Sequence, residues 1–268
     1  MLFRSARTLT LTDYVHGNVI FTGDAAHLLP IFGVRGANTG FQDAQSLAWH
    51  LAFVIKGLAG PSLLANHSAE RVGAAREIIE EAGKSVRFMT PPAGGFQLLR
   101  NAVLSLSLTQ EFVRPLYHWR TSRPHEYTHS MLNCPDDDNA LFTSGPAHGA
   151  PPQNVRLSED NYLLDHLGGG FDLLYFTHDT ALPESLQATI AQARQRGVPL
   201  RVLAIGAEAP VSGADLTLPD AQGHCHTRYG VAASGAGYLL RPDQHVCARW
   251  LVLDAVRLQA ALDAALPT

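Results

Sequence analysis

Apolar and polar residues follow two distinct periods along the chain, and these periods predict both strands and helices. A β-branched and aromatic run at 18–22 predicts a short strand that ends at Gly23 and Asp24. Apolar residues then recur every three or four positions over 41–58, 72–89 and, more weakly, 98–112, which predicts three helices.

From about residue 155 onward, predicted strands and helices alternate. The predicted strands are 171–177, 199–205, 238–241 and 245–251, and the predicted helices are 183–196 and 254–266. Pro183 opens the first of these helices and Asp254 caps the second. A strand–helix–strand unit followed by a hairpin and a helix is typical of a thioredoxin-like domain, so the predicted fold class is α/β (α+β).

Composition narrows the class of protein. The 268 residues are 46% hydrophobic and 16% charged, which excludes a largely disordered chain. A net charge of −4 argues against a nucleic-acid partner, and no apolar run approaches the ~20 residues of a membrane span. The three cysteines form no CxxC pair, so neither a disulfide framework nor a four-cysteine zinc site is expected. We expect a cytoplasmic protein.

A glycine-punctuated loop between the first strand and the first helix carries the candidate chemistry. The strand end delivers the Asp24 carboxylate, and Gly33 and Gly36 allow close approach of a ligand to the backbone. The first N–H groups of the following helix, near Ala37, Asn38 and Thr39, are expected to lack partners and so to favour an electron-rich group.

This segment resembles the flavin-binding motif of the FAD-dependent aromatic hydroxylases, the group typified by para-hydroxybenzoate hydroxylase. The matching elements are GDAAH at 23–27, Pro30, GANTG at 36–40 and DA at 43–44, and the similarity continues through 62–76. Within that last stretch, His67 stands where the family usually has tyrosine.

The resemblance implies a role for each matched residue. Asp24 would bind the ribityl hydroxyls of FAD, Pro30 would lie beside the isoalloxazine ring, and the amides of Ala37 and Asn38 would stabilise negative charge at the N1–O2 edge. The predicted cofactor-binding residues are Gly23, Asp24, Pro30, Gly36, Ala37, Asn38 and Thr39. No catalytic side chain and no metal ligand is predicted.

The segment 228–250 is similar to the closing segment of phenol-hydroxylase-type enzymes, which carry a thioredoxin-like domain. No CxxC follows its first predicted strand, since 175–183 contains no cysteine, so the resemblance implies packing or subunit contact, with a possible homodimer, rather than dithiol exchange. The expected division is the end of an FAD-binding domain at 1–60, a helical segment at 61–120, a connector at 121–154 and a thioredoxin-like domain at 155–268.

The resemblance implies a monooxygenase that uses NAD(P)H and O₂ and hydroxylates a phenolic or polycyclic aromatic substrate through a flavin hydroperoxide. The family's GxGxxG region is not found in this sequence, so the chain is expected to be a C-terminal portion that is inactive alone. The alternative is a non-catalytic interaction or oligomerisation module derived from such an enzyme.

Several other patterns have a simpler interpretation. The HExxH match at 125–129 lies between prolines and is expected to be a surface loop, and the His-Cys-His run at 224–226 is expected to be a chance pattern on a strand or loop. The acidic run at 136–138 is expected to be solvated rather than a calcium site.

Three residues of the flavin-like segment have alternative roles. His27 is expected to pack and hydrogen bond, and Asp43 is expected to stabilise the helix dipole from the first turn. Asp24 has an alternative role as a helix N-cap. Whether Arg35 steers the cofactor is left open.

Overall fold

The computed structural model describes residues 8–30, 35–117 and 124–268. The chain divides into two compact units. The first unit comprises 1–47 and 67–125, and the second comprises 48–66 and 126–268. The predicted domain boundaries at 60, 120 and 154 stay predictions.

The described residues of the first unit form four very short strands and most of three helices. Strands β1 (Leu9–Thr10), β2 (Val15–His16), β3 (Val19–Ile20) and β4 (His27–Leu28) form two antiparallel pairs, β1 with β4 and β2 with β3. The helices are α1 (Gly36–Ile55), α2 (Ser62–Met89) and α3 (Gly94–Leu106). The three predicted helices are therefore present, with α1 and α2 starting earlier than their apolar stripes. The predicted strand at 18–22 is reduced to β3, because only two of its residues pair with β2.

The second unit is built on a five-stranded mixed sheet. The hairpin β5 (Arg156–Ser158) and β6 (Asn161–Tyr162) precedes it, and the sheet begins with β7 (Phe171–Thr177), α4 (Glu184–Gln195) and β8 (Leu200–Gly206). All seven residues of β7 are buried, as expected for a central strand covered on both faces.

The remaining elements complete this sheet and cover it. They are β9 (Leu216–Leu218), α5 (His224–Tyr229), β10 (Ala236–Leu240), β11 (Val246–Trp250) and α6 (Ala255–Ala265). The strand order is β11-β10-β7-β8-β9, with β7, β8 and β9 parallel and β10 antiparallel to both of its neighbours. The α/β class is confirmed, and the thioredoxin-like assignment stays a prediction. The sequence did not predict β9 and α5.

The acidic run at 136–138 is solvated only in part: Asp136 is exposed as expected, whereas Asp137 and Asp138 are half-buried. Asp137 accepts hydrogen bonds from the Arg249 and Asn139 amides, and Asp138 accepts from the Leu251 amide and pairs with Arg257. Apart from Asn139, the donors lie on β11 or beyond it, more than a hundred residues along the chain, so no local pattern could indicate them.

Among the described residues, no helix combines the length and the apolar character that crossing a bilayer requires.

Candidate functional site

The turn that follows β3 presents Asp24 to solvent. Gly23 has a φ of 57°, a conformation that favours glycine, and Gly23–Ala25 forms a short 3-10 helix. Asp24 occupies the second position of this helix, whereas Thr22 occupies the N-cap, so the alternative role of Asp24 as an N-cap is wrong. Within the described part of the chain, no hydrogen bond to the Asp24 side chain is found, and the side chain is exposed.

The turn lies directly against the start of α1. A Cβ atom placed on Gly40 would lie 3.6 Å from the Cα atom of Gly23, so the two backbones approach each other without intervening side chains. This approach brings the Asp24 turn close to the first residues of α1.

The N-terminus of α1 is open to solvent at Ala37 and Asn38, and its first turn carries no acidic side chain. The amides that begin a helix have no intrahelical acceptor, which makes this end partially positive. Thr39 differs from the expectation: its amide donates to the Arg35 carbonyl at 2.9 Å, and only 2% of the residue is exposed. The reason is that α1 already begins at Gly36, so the 35–39 turn is closed.

The other predicted residues around the loop are placed as follows. Gly36 is half-buried at the start of α1, and Pro30 is buried. Gly33 lies outside the described residues. Arg35 is half-buried and its role stays open.

A buried carboxylate, Asp43, joins the turn to both long helices. Its oxygens accept from the Gly23 amide at 3.0 Å, from His27 Nε2 at 2.7 Å and from Arg71 Nε at 2.6 Å. Asp43 is fully buried, and the expectation that it stabilises the dipole from the first turn is wrong, because it lies two turns into α1. The expectation for His27, a buried hydrogen-bonding residue, is confirmed.

The charges around Asp43 keep it ionised. Burial raises the pKa of the Asp43 carboxyl, but hydrogen bonds from His27 and Arg71 and the Arg71 charge outweigh burial and hold that pKa below its ordinary value. Arg71 also donates to the Thr39 carbonyl, and so it connects α2 to the first turns of α1.

The sequence pattern did not predict this carboxylate–arginine pair. One signal was available: Arg71 directly precedes Val72, which belongs to the apolar stripe of α2. A charged residue beside a buried stripe needs a partner of opposite charge.

The remaining candidates do not form a second site. The described residues of the HExxH match contain no helix, so its interpretation as a loop is confirmed. The run at 224–226 forms the start of α5 rather than a strand or loop, and His226 pairs with Asp220 at 2.7 Å. Across the described ranges, no group of three or more His, Cys, Asp or Glu side chains is arranged to hold a metal ion.

Comparison with known proteins places Asp24, Asp43 and Arg71 within a segment that matches a known family. Residues 4–82 match the family described as FAD binding domain. The chain is 28% identical over 255 residues to a 4-methyl-5-nitrocatechol 5-monooxygenase from a Burkholderia species, a match that covers 90% of this chain and 42% of that protein.

Solved structures of enzymes that contain a flavin match almost the whole chain. Aklavinone-11 hydroxylase, in a ternary complex with FAD and aklavinone, superimposes with a TM-score of 0.71 at 25% identity, over 97% of this chain and 45% of that one. The rebeccamycin biosynthetic enzyme RebC with reduced flavin superimposes with a TM-score of 0.68 at 27% identity, over 96% and 46%. The resemblance to FAD-dependent aromatic hydroxylases is confirmed, and the chain spans less than half the length of these relatives.

Proposed function

We propose that this chain is the flavin-contacting part of an FAD-dependent monooxygenase that hydroxylates a phenolic or polycyclic aromatic substrate, with NAD(P)H as reductant and O₂ as co-substrate. One observation carries the proposal. An exposed carboxylate without a hydrogen-bond partner in the described residues, Asp24, lies beside an open helix N-terminus within the segment that matches an FAD binding domain.

The residues present fit a flavin. The ribityl chain offers hydroxyl donors, and an exposed carboxylate at Asp24 is an acceptor for them. The isoalloxazine ring gains negative charge when it is reduced, and the exposed amides of Ala37 and Asn38 would stabilise that charge. Gly36 would contribute through its backbone, and Pro30 through the edge of its ring. Gly23 and Thr39 would act indirectly, because the Gly23 amide donates to Asp43 and the Thr39 amide donates to Arg35.

The bound flavin would supply the oxygen activation and the hydroxylation itself. This chain's own residues would bind and orient it. The Asp43 contacts hold the turn and α1 together, so Asp24 and the α1 amides keep a fixed separation. We also propose that the chain forms a homodimer and that its thioredoxin-like domain packs rather than exchanges disulfides.

The cysteines support a packing role for that domain. All three thiols are free and buried. Burial raises the pKa of the Cys134 thiol and raises those of the Cys225 and Cys247 thiols well above their ordinary range, which suppresses the reactive thiolate.

The proposal is tested by titrating FAD into the purified chain while flavin fluorescence is recorded. We expect quenching with the unaltered chain and at least a tenfold weaker affinity in Asp24→Ala, since a charge-assisted hydrogen bond contributes roughly 1.5–3 kcal/mol. Asp136→Ala, which removes another exposed carboxylate in the second unit, is the matched control and should bind as the unaltered chain does.

Two results would contradict the proposal. One is an unaltered chain that leaves flavin fluorescence unchanged at about 100 µM protein, a concentration well above an ordinary cofactor Kd. The other is an affinity loss that is equal in Asp24→Ala and Asp136→Ala.

A further inference from the structure

An open pocket of about 590 Å³ lies in the second unit, at the edge of the sheet where β7 and β8 begin. Its lining comprises the glycine run at 168–170, the stretch 198–201, Arg194 near the end of α4, and Asp215. The lining therefore brings two guanidinium groups, those of Arg194 and Arg201, to one pocket. The proposed flavin site uses none of these residues, because its residues belong to the first unit.

Arg201 is fixed through one edge of its guanidinium. Its Nε donates to Asp172 at 2.8 Å, and its Nη2 donates to the His166 carbonyl at 2.9 Å. A Cβ atom on Gly168 would lie 2.7 Å from Nη2, so the glycine allows the loop to pack directly onto the guanidinium. Within the described part of the chain, Nη1 of Arg201 has no acceptor, and 44% of the side chain is exposed. The contacts therefore hold Arg201 in place and leave one of its two terminal nitrogens for a ligand.

Arg194 is held in the same manner. Its Nε donates to the Leu200 carbonyl at 2.9 Å, and its Nη2 donates to Asp215. Its Nη1 also has no acceptor in the described ranges, and 38% of the side chain is exposed. Guanidinium groups that are already ordered by such contacts lose little side-chain entropy when an anion binds.

The glycine run adds backbone donors to the pocket. Neither the Gly169 amide nor the Gly170 amide has an acceptor in the part of the chain that the structure describes. Gly169 is exposed, and a Cβ atom placed on it would have nothing within 4 Å. Gly170 packs against Pro199, since a Cβ atom on it would lie 2.5 Å from the Pro199 carbonyl oxygen. A ligand can therefore reach the backbone of the run at Gly169, where no side chain covers it.

We infer that this pocket is a phosphate site, which binds the phosphate group of a small molecule through the arginine Nη1 atoms and the amides of the glycine run. A phosphate group has three outward oxygens that are strong acceptors, so it suits several donors that converge on one pocket. Arginine is favoured at phosphate sites because its guanidinium is planar and always charged. A carboxylate has only two oxygens and would leave more of these donors without an acceptor.

Two carboxylates limit the affinity. Asp215 lines the pocket and pairs with Arg194, and Asp172 pairs with Arg201. Asp172 is only 1% exposed and does not line the pocket, so an anion in the pocket would meet the guanidinium rather than this carboxylate. Because both arginines are partly neutralised, we expect a Kd for inorganic phosphate of roughly 1–10 mM.

The inference does not depend on flavin binding, and it is tested with inorganic phosphate on the full chain. Backbone amide shifts of the isotopically labelled chain are recorded by NMR while phosphate is added to about 50 mM at constant ionic strength, which keeps charge screening fixed. We expect saturable shifts in residues 168–170 and 198–201. A chain that binds phosphate here but does not bind FAD would refute the proposed function and leave this inference standing.

Adenosine monophosphate distinguishes two sources of the phosphate group. We expect it to shift the same amides as inorganic phosphate does. Tighter binding than inorganic phosphate would assign the pocket to a nucleotide, whereas equal or weaker binding would assign it to free phosphate.

Arg194→Gln should raise the Kd for phosphate at least about tenfold, because it removes one charged donor. The pair that Arg194 forms with Asp215 is exposed, so its loss should leave the fold intact. Arg156→Gln is the matched control, since it removes the same charge from an exposed arginine of β5 that does not line the pocket. It should leave the Kd within about threefold of that of the unaltered chain.

A second pair of variants, Gly169→Asp and Gly169→Asn, leaves both arginines unchanged. The two substitutions add side chains of nearly the same size, and the space around Gly169 is open, so both variants should fold. Only Gly169→Asp adds a negative charge to the pocket, so its Kd for phosphate should exceed that of Gly169→Asn at least about fivefold.

Three results would overturn the inference. The first is an absence of saturable shifts up to about 50 mM phosphate. The second is a set of saturable shifts in the first turn of α1 rather than in the glycine run, which would place the anion at the turn that carries Asp24. The third is a Kd that changes equally for the two members of either pair of variants, because the pocket would then have no part in binding beyond the net charge of the chain.

Discussion

Replacing Asp43 by alanine is expected to loosen the turn that carries Asp24. The substitution removes the carboxylate that accepts from Gly23, His27 and Arg71. Arg71 is only 1% exposed, so its guanidinium would lose the Asp43 counter-charge without gaining access to water. Breaking a buried ion pair by removing one partner costs about 3–5 kcal/mol, because a charge remains buried without its compensation.

The effect has a defined pH dependence. Burial raises the pKa of Asp43, but the His27 and Arg71 hydrogen bonds and the Arg71 charge bring it below the ordinary value of 3.8. A carboxyl whose folded-state pKa is lowered stabilises the fold fully above its unfolded pKa and loses that contribution as the pH falls through the folded value. The unaltered chain should therefore lose stability below about pH 4 more steeply than Asp43→Ala does.

Hydrogen exchange of the amides in residues 19–30 and in α1 measures this directly. We expect exchange at least roughly a hundredfold faster in Asp43→Ala, the rate equivalent of about 3 kcal/mol. Asp24→Ala, which removes an exposed carboxylate from the same turn, should exchange as the unaltered chain does. Equal protection in Asp43→Ala and the unaltered chain, or equal loss in both variants, would refute the reasoning.

Three further predictions concern the second unit. A Cβ atom on Gly149 would lie 2.2 Å from the Tyr127 carbonyl carbon, so Gly149→Ala should lower the free energy of unfolding in urea by more than about 2 kcal/mol. Gly223 has a similar φ but open space around it, so Gly223→Ala should lower the same free energy by about 1 kcal/mol. Asp254→Ala removes the cap that accepts from the Arg257 amide and should cost about 1 kcal/mol, measured as a lower Tm. The three cysteine thiols should resist a thiol reagent in the folded chain and react after denaturation; rapid labelling of the folded chain would contradict their burial.

The periodic pattern predicted the main elements of the second unit closely. The predicted strand at 171–177 has the same bounds as β7, and the predicted cap of α6, Asp254, accepts from the Arg257 amide. The pattern failed for β9 and α5, which have three and six residues. Elements this short form because they pair with a neighbouring strand or pack against a buried cluster. They are too short to show a period in the sequence.

The candidate site, too, could be predicted from the sequence only in part. The motif alone located Asp24 and the start of α1, because a strand end, a glycine loop and a helix start are all local features. The role of Asp43 could not be predicted locally, since its partner Arg71 lies 28 residues further along the chain. The thioredoxin-like assignment and the cofactor contacts stay predictions.

By itself, the sequence determined the order of the main helices and of four strands of the large sheet, the α/β class and the position of the flavin-like turn, since period, caps and glycine conformations act over a few residues. Only the tertiary structure decided that Asp43 is buried against Arg71 and that Asp137 and Asp138 bond to β11 and its flanks. These outcomes depend on which distant segments come together, because burial and charge pairing are properties of contacts rather than of local sequence.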